Sequence, residues 1–384
     1  GNSIISSVGD VGPVWPAAQR PRSAGEGGMH TEVVFLTFMV TLVFLLILRP
    51  VAVAAGLVDV PGGRKTHDVP VPLIGGVCMS IGVGFGSALL AHPSFWGPVL
   101  LGMYVLVVVG VIDDRFDLPP NVRFVAQACA ALLVVYGAGI KVTSLGAPLF
   151  FAAPLGIFAV PFTLVFIVTL INAFNFSDGI DGLAGGLALI SLISMAILGT
   201  ASDVFPLILL LAAAVAAFLV SNFPLRWVKP IRTFMGDAGS TFLGLSIATI
   251  GVSLSQGAGP ERSPVIGLWL VAVPVFELFC SIIRRAREGK SPLAPDHGHL
   301  HHVLIAGGLS RRATLTVILT LAAGCAAIGT AGSVLRLPDG VMLMAWFAAG
   351  TVYYRLLRRP GVLLDAALLL RASFARSKVQ SAQP

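Results

Sequence analysis

Charge is what this sequence has least of: Asp, Glu, Lys and Arg supply 11% of its 384 residues, where a soluble globular domain uses roughly 25%. Hydrophobic residues supply 56%, and no soluble fold of this length fits that balance. Cysteine is also sparse. Cys78, Cys129, Cys280 and Cys325 are the only four; all fall in apolar runs without CxxC spacing, so neither a disulfide framework nor a zinc site is indicated. No HExxH motif and no internal repeat occurs. Residues 1–28, rich in Gly, Pro and Ser, lack an apolar h-region before Met29, which argues against a signal peptide. They read as a disordered leader or a misplaced start.

Long apolar runs are plentiful. Val33–Leu48, Val99–Ile112, Phe124–Tyr136, Ile157–Ile171, Leu183–Leu198, Phe205–Val220, Val265–Ile283 and Leu315–Ile328 approach the ~20 residues that cross a ~30 Å hydrocarbon core. They show no alternating polarity, so helices rather than a barrel satisfy their backbone groups in lipid. The expected fold is all-α, a polytopic integral membrane bundle of about 11 transmembrane helices near 31–50, 73–91, 97–112, 122–139, 156–172, 183–199, 204–221, 239–255, 264–283, 313–331 and 340–356. Residues 29–356 form the membrane domain and residues 357–384 a cytoplasmic tail.

A net charge of +7 could point to nucleic acid, but its distribution says otherwise. When loops are assigned alternately to two sides, 20 of the 25 Lys and Arg fall on one of them. The positive-inside rule makes that side cytoplasmic, with the N-terminus outside and the C-terminus inside. The bilayer is the partner and no nucleic acid is expected. Outside, Lys141–Pro154 reads as a short hairpin.

Five clusters carry the chemistry, and this map puts all of them on the cytoplasmic side. They are Pro61–Gly76, with Arg64, Lys65 and His67; Asp113–Arg123, with Asp113, Asp114 and Asp117; Asn172–Gly182, with Asn172, Asn175, Asp178 and Asp181; Phe234–Ser240, with Asp237; and Asp296–His302, with His297, His299, His301 and His302. Three carboxylates within a turn and a half raise one another's pKa and oppose the helix macrodipole. A divalent cation relieves both effects, and oxygen-rich sets of this kind suit Mg²⁺ on one or two carboxylates plus substrate phosphates. The bland alternative is a helix-end cluster paired with Arg115 and Arg123. Asn172–Gly182 can present amide and carboxylate together or be a capping turn. Asp237 can begin a helix whose free N–H groups favour phosphate or be an ordinary N-cap. The histidine segment follows Arg284, Arg285, Arg287 and Lys290 and suits phosphate or sugar better than a transition metal; a basic loop on anionic headgroups explains the cations but not the histidines. Together these groups suit phosphoryl transfer from a soluble donor to a membrane lipid.

In order and composition the five segments resemble the signature motifs of the polyprenyl-phosphate N-acetylhexosamine-1-phosphate transferases (glycosyltransferase family 4). Arg64-Lys65-x-His67 and His299-Leu-His301-His302 resemble the bacterial undecaprenyl-phosphate GlcNAc-1-phosphate transferase branch more than the phospho-MurNAc-pentapeptide transferases of peptidoglycan synthesis. The resemblance implies attack of undecaprenyl phosphate on the β-phosphorus of a UDP-N-acetylhexosamine, giving the lipid diphospho-sugar and UMP as the first membrane step of a cell-envelope polysaccharide such as O-antigen. It implies Mg²⁺, with Mn²⁺ as a substitute, on Asp237 with Asn175, Asp113 and Asp114. Asp113 or Asp114 positions or deprotonates the lipid phosphate, Phe234 stacks on uracil, and Asp178 and Asp181 read the nucleoside. Asn172 lies in the substrate-binding segment, and Arg64, Lys65, His67, His299, His301 and His302 contact diphosphate or sugar. The expected location is the bacterial inner membrane. The sugar and the oligomeric state, a homodimer included, are left open. A transporter is the rival class, but it would carry polar groups at mid-span; a CDP-alcohol phosphotransferase would need several Asp on one helix.

Overall fold

A computed structural model describes residues 24–60, 70–90, 94–149, 151–224, 231–256, 263–291, 298–359, 361–362 and 365. Arg64, Lys65, His67 and His297 lie outside them. Among the described residues thirteen α-helices follow one another: α1 Ala24–Ala54, α2 Gly75–Leu89, α3 Trp96–Phe116, α4 Pro120–Leu132, α5 Ala159–Ser177, α6 Leu183–Gly199, α7 Phe205–Asn222, α8 Gly236–Gln256, α9 Pro264–Leu270, α10 Ala272–Arg287, α11 Leu300–Ala306, α12 Arg311–Val334 and α13 Asp339–Arg358. Strands β1 Val58–Asp59 and β2 Val71–Pro72 make one small antiparallel pair. Among the described residues, eight helical segments are long and apolar enough to cross a membrane, and α9 with α10 forms a ninth, bent candidate. The shorter apolar α2 and α6 coincide with two further expected spans. Large apolar side chains left exposed, among them Phe35, Ile47, Val108, Val165, Ile197 and Phe347, cover the flanks, where lipid removes the cost of exposure. The chain is a multi-pass α-helical membrane protein.

Its centre is α8, buried at every position from Ala238 to Ile250 and packed against α3, α5 and α2. Small residues make this possible. A Cβ on Gly110 of α3 would come within 2.3 Å of the Ala238 backbone, and one on Gly244 of α8 within 2.5 Å of Ile171 Cα on α5. Such backbone-to-backbone approach drives helix association where lipid removes the hydrophobic incentive. Some polar residues in the spans are satisfied within their own helix: Thr37 and Thr41 of α1 donate to the carbonyls of Val33 and Thr37 one turn earlier.

The expected straight span over 264–283 breaks instead, with α9 and α10 meeting at 83°. Pro274 is the cause, since it lacks the N–H that would bond Leu270 O and its ring crowds that carbonyl. A freed carbonyl in hydrocarbon needs a new donor. Ser191 Oγ of α6 donates to Leu270 O at 2.7 Å, and Trp346 Nε1 of α13 to Leu268 O at 3.1 Å. The expected hairpin is present as a Ser144–Pro154 bridge, held by Gln256, whose Oε1 accepts from Thr143 N and Ser144 N.

Gly110→Ala tests the close α3–α8 packing. Alanine gains roughly 1 kcal/mol of helix propensity, but overpacking against rigid backbone costs about 1–3 kcal/mol. The expected outcome is a lower midpoint of thermal unfolding in detergent, read against Gly324→Ala, whose added methyl meets nothing within 4 Å.

Candidate active site

The ends of α3, α5 and α8 meet at one end of the bundle, and the segment before α8 is stitched there. Phe234 N donates to Pro72 O at 2.8 Å, and Gly75 N and Gly76 N donate to the carbonyls of Phe234 and Met235 at 2.9 and 3.1 Å. Gly236 then turns the chain into α8 with φ of +70°, which an L side chain rarely adopts. A Cβ there would also lie 2.3 Å from an Asp114 oxygen.

That approach explains Asp114. Its carboxylate accepts from Asp237 N at 2.9 Å and Ala238 N at 3.4 Å, holding the first N–H groups of α8, which no intrahelical partner can satisfy. Asp113 and Asp114 are neighbours in sequence but not in task. Asp113 is buried, with Oδ1 accepting from Leu118 N at 2.8 Å and Oδ2 from Arg123 Nη1 at 3.2 Å.

Asp113, Asp237 and Asn175 line one cavity of about 70 Å³ with Arg123, Gln127 and Asn172. Asn175 Nδ2 donates to Asp237 Oδ1 at 2.6 Å and Ser240 Oγ at 3.0 Å, which leaves its amide oxygen for another partner. Arg123 Nη1 stands between the two carboxylates, 3.2 Å from Asp113 Oδ2 and 3.8 Å from Asp237 Oδ2. Asn172 stands behind them, donating to Gln127 Oε1 at 2.7 Å and Val168 O at 2.8 Å.

Among the described residues no group of three or more His, Cys, Asp or Glu is arranged to hold a metal ion. Two carboxylates and an amide oxygen are a hard, incomplete donor set. That fits Mg²⁺, which completes its octahedron with water and substrate phosphates rather than a protein cage; a closed zinc site it does not fit.

A second group lies beside the first. Asp181 pairs with Arg232, whose guanidinium sits 5.0 Å over the Phe234 ring. Asn222, which sequence reasoning passed over, ties these loops together: its Oδ1 accepts from Gly182 N at 2.7 Å and its Nδ2 donates to Thr233 O at 2.8 Å. Asp178 is exposed at the loop's edge.

From Leu300 the histidine segment runs as the short helix α11, with His299 immediately before it. His299, His301 and His302 are clustered, with ring centroids 4.2 Å apart for His301 and His302 and 5.7 Å for His299 and His301. His301 is buried, and burial, with His302 and His299 beside it, pushes its imidazole down to about 3; it is neutral at ordinary pH. Its Nε2 has no hydrogen-bond partner among the described residues and abuts Gly179, where a Cβ would come within 2.2 Å. Phe176 joins the two parts: it lines the carboxylate cavity, packs edge-on to His299 at 5.9 Å and lies under the Arg285 guanidinium at 5.2 Å.

The fold and this arrangement define a polytopic helical membrane protein with an oxygen-donor, cation- and imidazole-lined site at one mouth. Residues 96–255 match the glycosyl transferase family 4 profile. The chain is 36% identical over 340 residues to the undecaprenyl-phosphate alpha-N-acetylglucosaminyl 1-phosphate transferase of Yersinia pestis, covering 86% of this chain and 92% of that one. It is 34% identical over 338 residues to the protein so named in Salmonella typhi, with 84% and 89% covered, and 34% identical over 330 residues to that of Haemophilus influenzae, with 83% and 92% covered. The chain belongs to glycosyl transferase family 4.

Asp114→Ala leaves two buried N–H groups at the start of α8 without an acceptor, a loss of about 1–2 kcal/mol on the scale of helix caps. Asp114→Asn keeps one acceptor oxygen. Thermal unfolding is therefore expected to rank wild type above Asp114→Asn above Asp114→Ala; equal midpoints for all three would remove the capping role.

Proposed function

We propose that the chain transfers GlcNAc-1-phosphate from UDP-GlcNAc to undecaprenyl phosphate at the cytoplasmic face of a bacterial inner membrane, with its N-terminus outside and its C-terminus inside. The observation that carries this reading is the convergence of Asp113, Asp237 and Asn175 on one cavity, in a chain whose relatives bear that transferase name. An oxygen of the lipid phosphate attacks the β-phosphorus, the bond from that phosphorus to the α,β-bridging oxygen breaks, and UMP leaves with that oxygen; the anomeric bond is untouched. The product is undecaprenyl-diphospho-GlcNAc, the first lipid-linked sugar of an envelope polysaccharide.

Asp237 and Asp113 with the Asn175 amide oxygen would hold Mg²⁺, which would supply neutralisation of the charge on the transferring phosphoryl group. Asp113 also positions the lipid phosphate. A base is hardly needed, because a phosphate monoester with a second pKa near 6 is mostly dianionic at pH 7. Arg123 offsets the two carboxylates and limits their mutual repulsion. Asp114 serves the metal indirectly, by fixing the turn that carries Asp237. Phe234 offers its face to uracil, Arg232 and Asp181 hold the nucleoside edge with Asp178 at the entrance, and His299, His301 and His302 take diphosphate or sugar oxygens.

The test is UMP release by purified protein with Mg²⁺ and undecaprenyl phosphate across a panel of UDP-N-acetylhexosamines. UMP that depends on the lipid and is greatest with UDP-GlcNAc is expected, and Asp237→Asn should lose most of the rate and shift the Mg²⁺ dependence. Release of UMP without lipid, or from no donor by folded protein, would sink the reading. Separately, Phe234→Ala is expected to raise the KM for the UDP-sugar with a smaller change in kcat, since a stacked base is worth about 1–3 kcal/mol; an unaltered KM removes the stacking role.

A further inference from the structure

Glu277 lies in the middle of the apolar run Val265–Ile283, where an ionisable group costs roughly 2.5–3.5 kcal/mol on insertion scales. It is 7% exposed and away from the carboxylate cavity. Three donors from two elements converge on it. Oε1 accepts from Leu300 N at 3.0 Å and from the Tyr353 hydroxyl of α13, and Oε2 faces His299 Nδ1 at 2.9 Å.

Leu300 N and Tyr353 would anchor α11 to the bundle through any single acceptor oxygen. The second oxygen, aimed at Nδ1, is what anchoring leaves unexplained. A carboxylate is acceptor-only, so Nδ1 must carry the hydrogen, and Nε2 is left as the nitrogen that can meet a ligand. His299 is also the histidine that packs on Phe176, a wall of the carboxylate cavity. An imidazole whose second nitrogen is held by a buried carboxylate has a set ring orientation and tautomer.

We infer that Glu277 is a positioning residue: it holds Nδ1–H of His299 so that the Nε2 lone pair is presented to accept from a hydroxyl or N–H group of the substrate, with Tyr353 fixing the carboxylate from α13. The inference rests on the functional reading above, and its test separates the two. In Glu277→Gln the amide oxygen stays with Leu300 N and Tyr353, which puts the NH₂ group against Nδ1 and drives the His299 hydrogen to Nε2. The outcome expected is a fall in kcat of about ten- to a hundredfold, by analogy with the loss of a partner behind a metal-ligating histidine, with little change in the thermal midpoint.

The same substitution in a His299→Ala background should cost no further kcat, because a residue that acts through another loses its effect when that other is gone. Multiplicative losses, or a kcat fall that tracks lost stability, overturn the inference. Nitrogen NMR of the full chain labelled at histidine gives a readout independent of turnover, with His299 assigned by its loss in His299→Ala. A hydrogen on Nδ1 in the wild type that moves to Nε2 in Glu277→Gln supports the inference; a wild-type His299 without a hydrogen on Nδ1 refutes it. Should no donor yield UMP, the functional reading fails while these spectra still decide the role of Glu277.

Discussion

The buried N-terminus of α8 is the constraint on which the site depends. A helix that begins inside a protein, near hydrocarbon, must find acceptors for N–H groups that water would satisfy elsewhere. Here one carboxylate from α3, Asp114, accepts from two of them, and it can approach only because Gly236 has no side chain and adopts positive φ. Asp237, the next residue, is thereby held over the ends of α3 and α5, where Asp113 and Asn175 wait. Packing, capping and the donor set are one arrangement rather than three.

The rest of the mouth is assembled by the same rule, that polar groups at the membrane boundary are tied to particular partners. Asn222 spans two loops with its amide, Arg232 links Asp181 to Phe234, and Phe176 lies between the carboxylate cavity and the histidines. The broken span matters for the same reason. Pro274 bends α9 against α10, Ser191 and Trp346 repair the exposed carbonyls, and α10 is set so that Glu277 meets the histidine segment. A local backbone defect and the buried Glu277 thus lie within one turn of each other.

Much of this was legible in the sequence. Apolar runs located the spans because hydrocarbon admits so few alternatives, and the uneven Lys and Arg gave an orientation that put every chemical cluster at one mouth. Other features were legible in kind but not in detail. The run Val265–Ile283 reads as one helix by hydropathy, although Pro274 within it was a signal of the break. Glu277 stood in that run as an unpaired acid, and Asn222 at the end of another span; both could have been flagged as polar groups in search of partners. Asp113 and Asp114 read as equivalent, since adjacent residues share composition, spacing and flanking charge.

Sequence by itself determined the class of protein, the apolar runs that form its helices and the identities of the side chains at the mouth, because these follow from local hydropathy and from motifs read in order. Tertiary structure decided the division of labour: Asp113 in the cavity and Asp114 on the helix N-terminus, His301 buried and neutral, His299 held by Glu277. Those assignments depend on the direction in which each side chain leaves its helix and on which backbone groups lack a partner nearby. Such facts exist only once α3, α5, α8 and α10 are packed together.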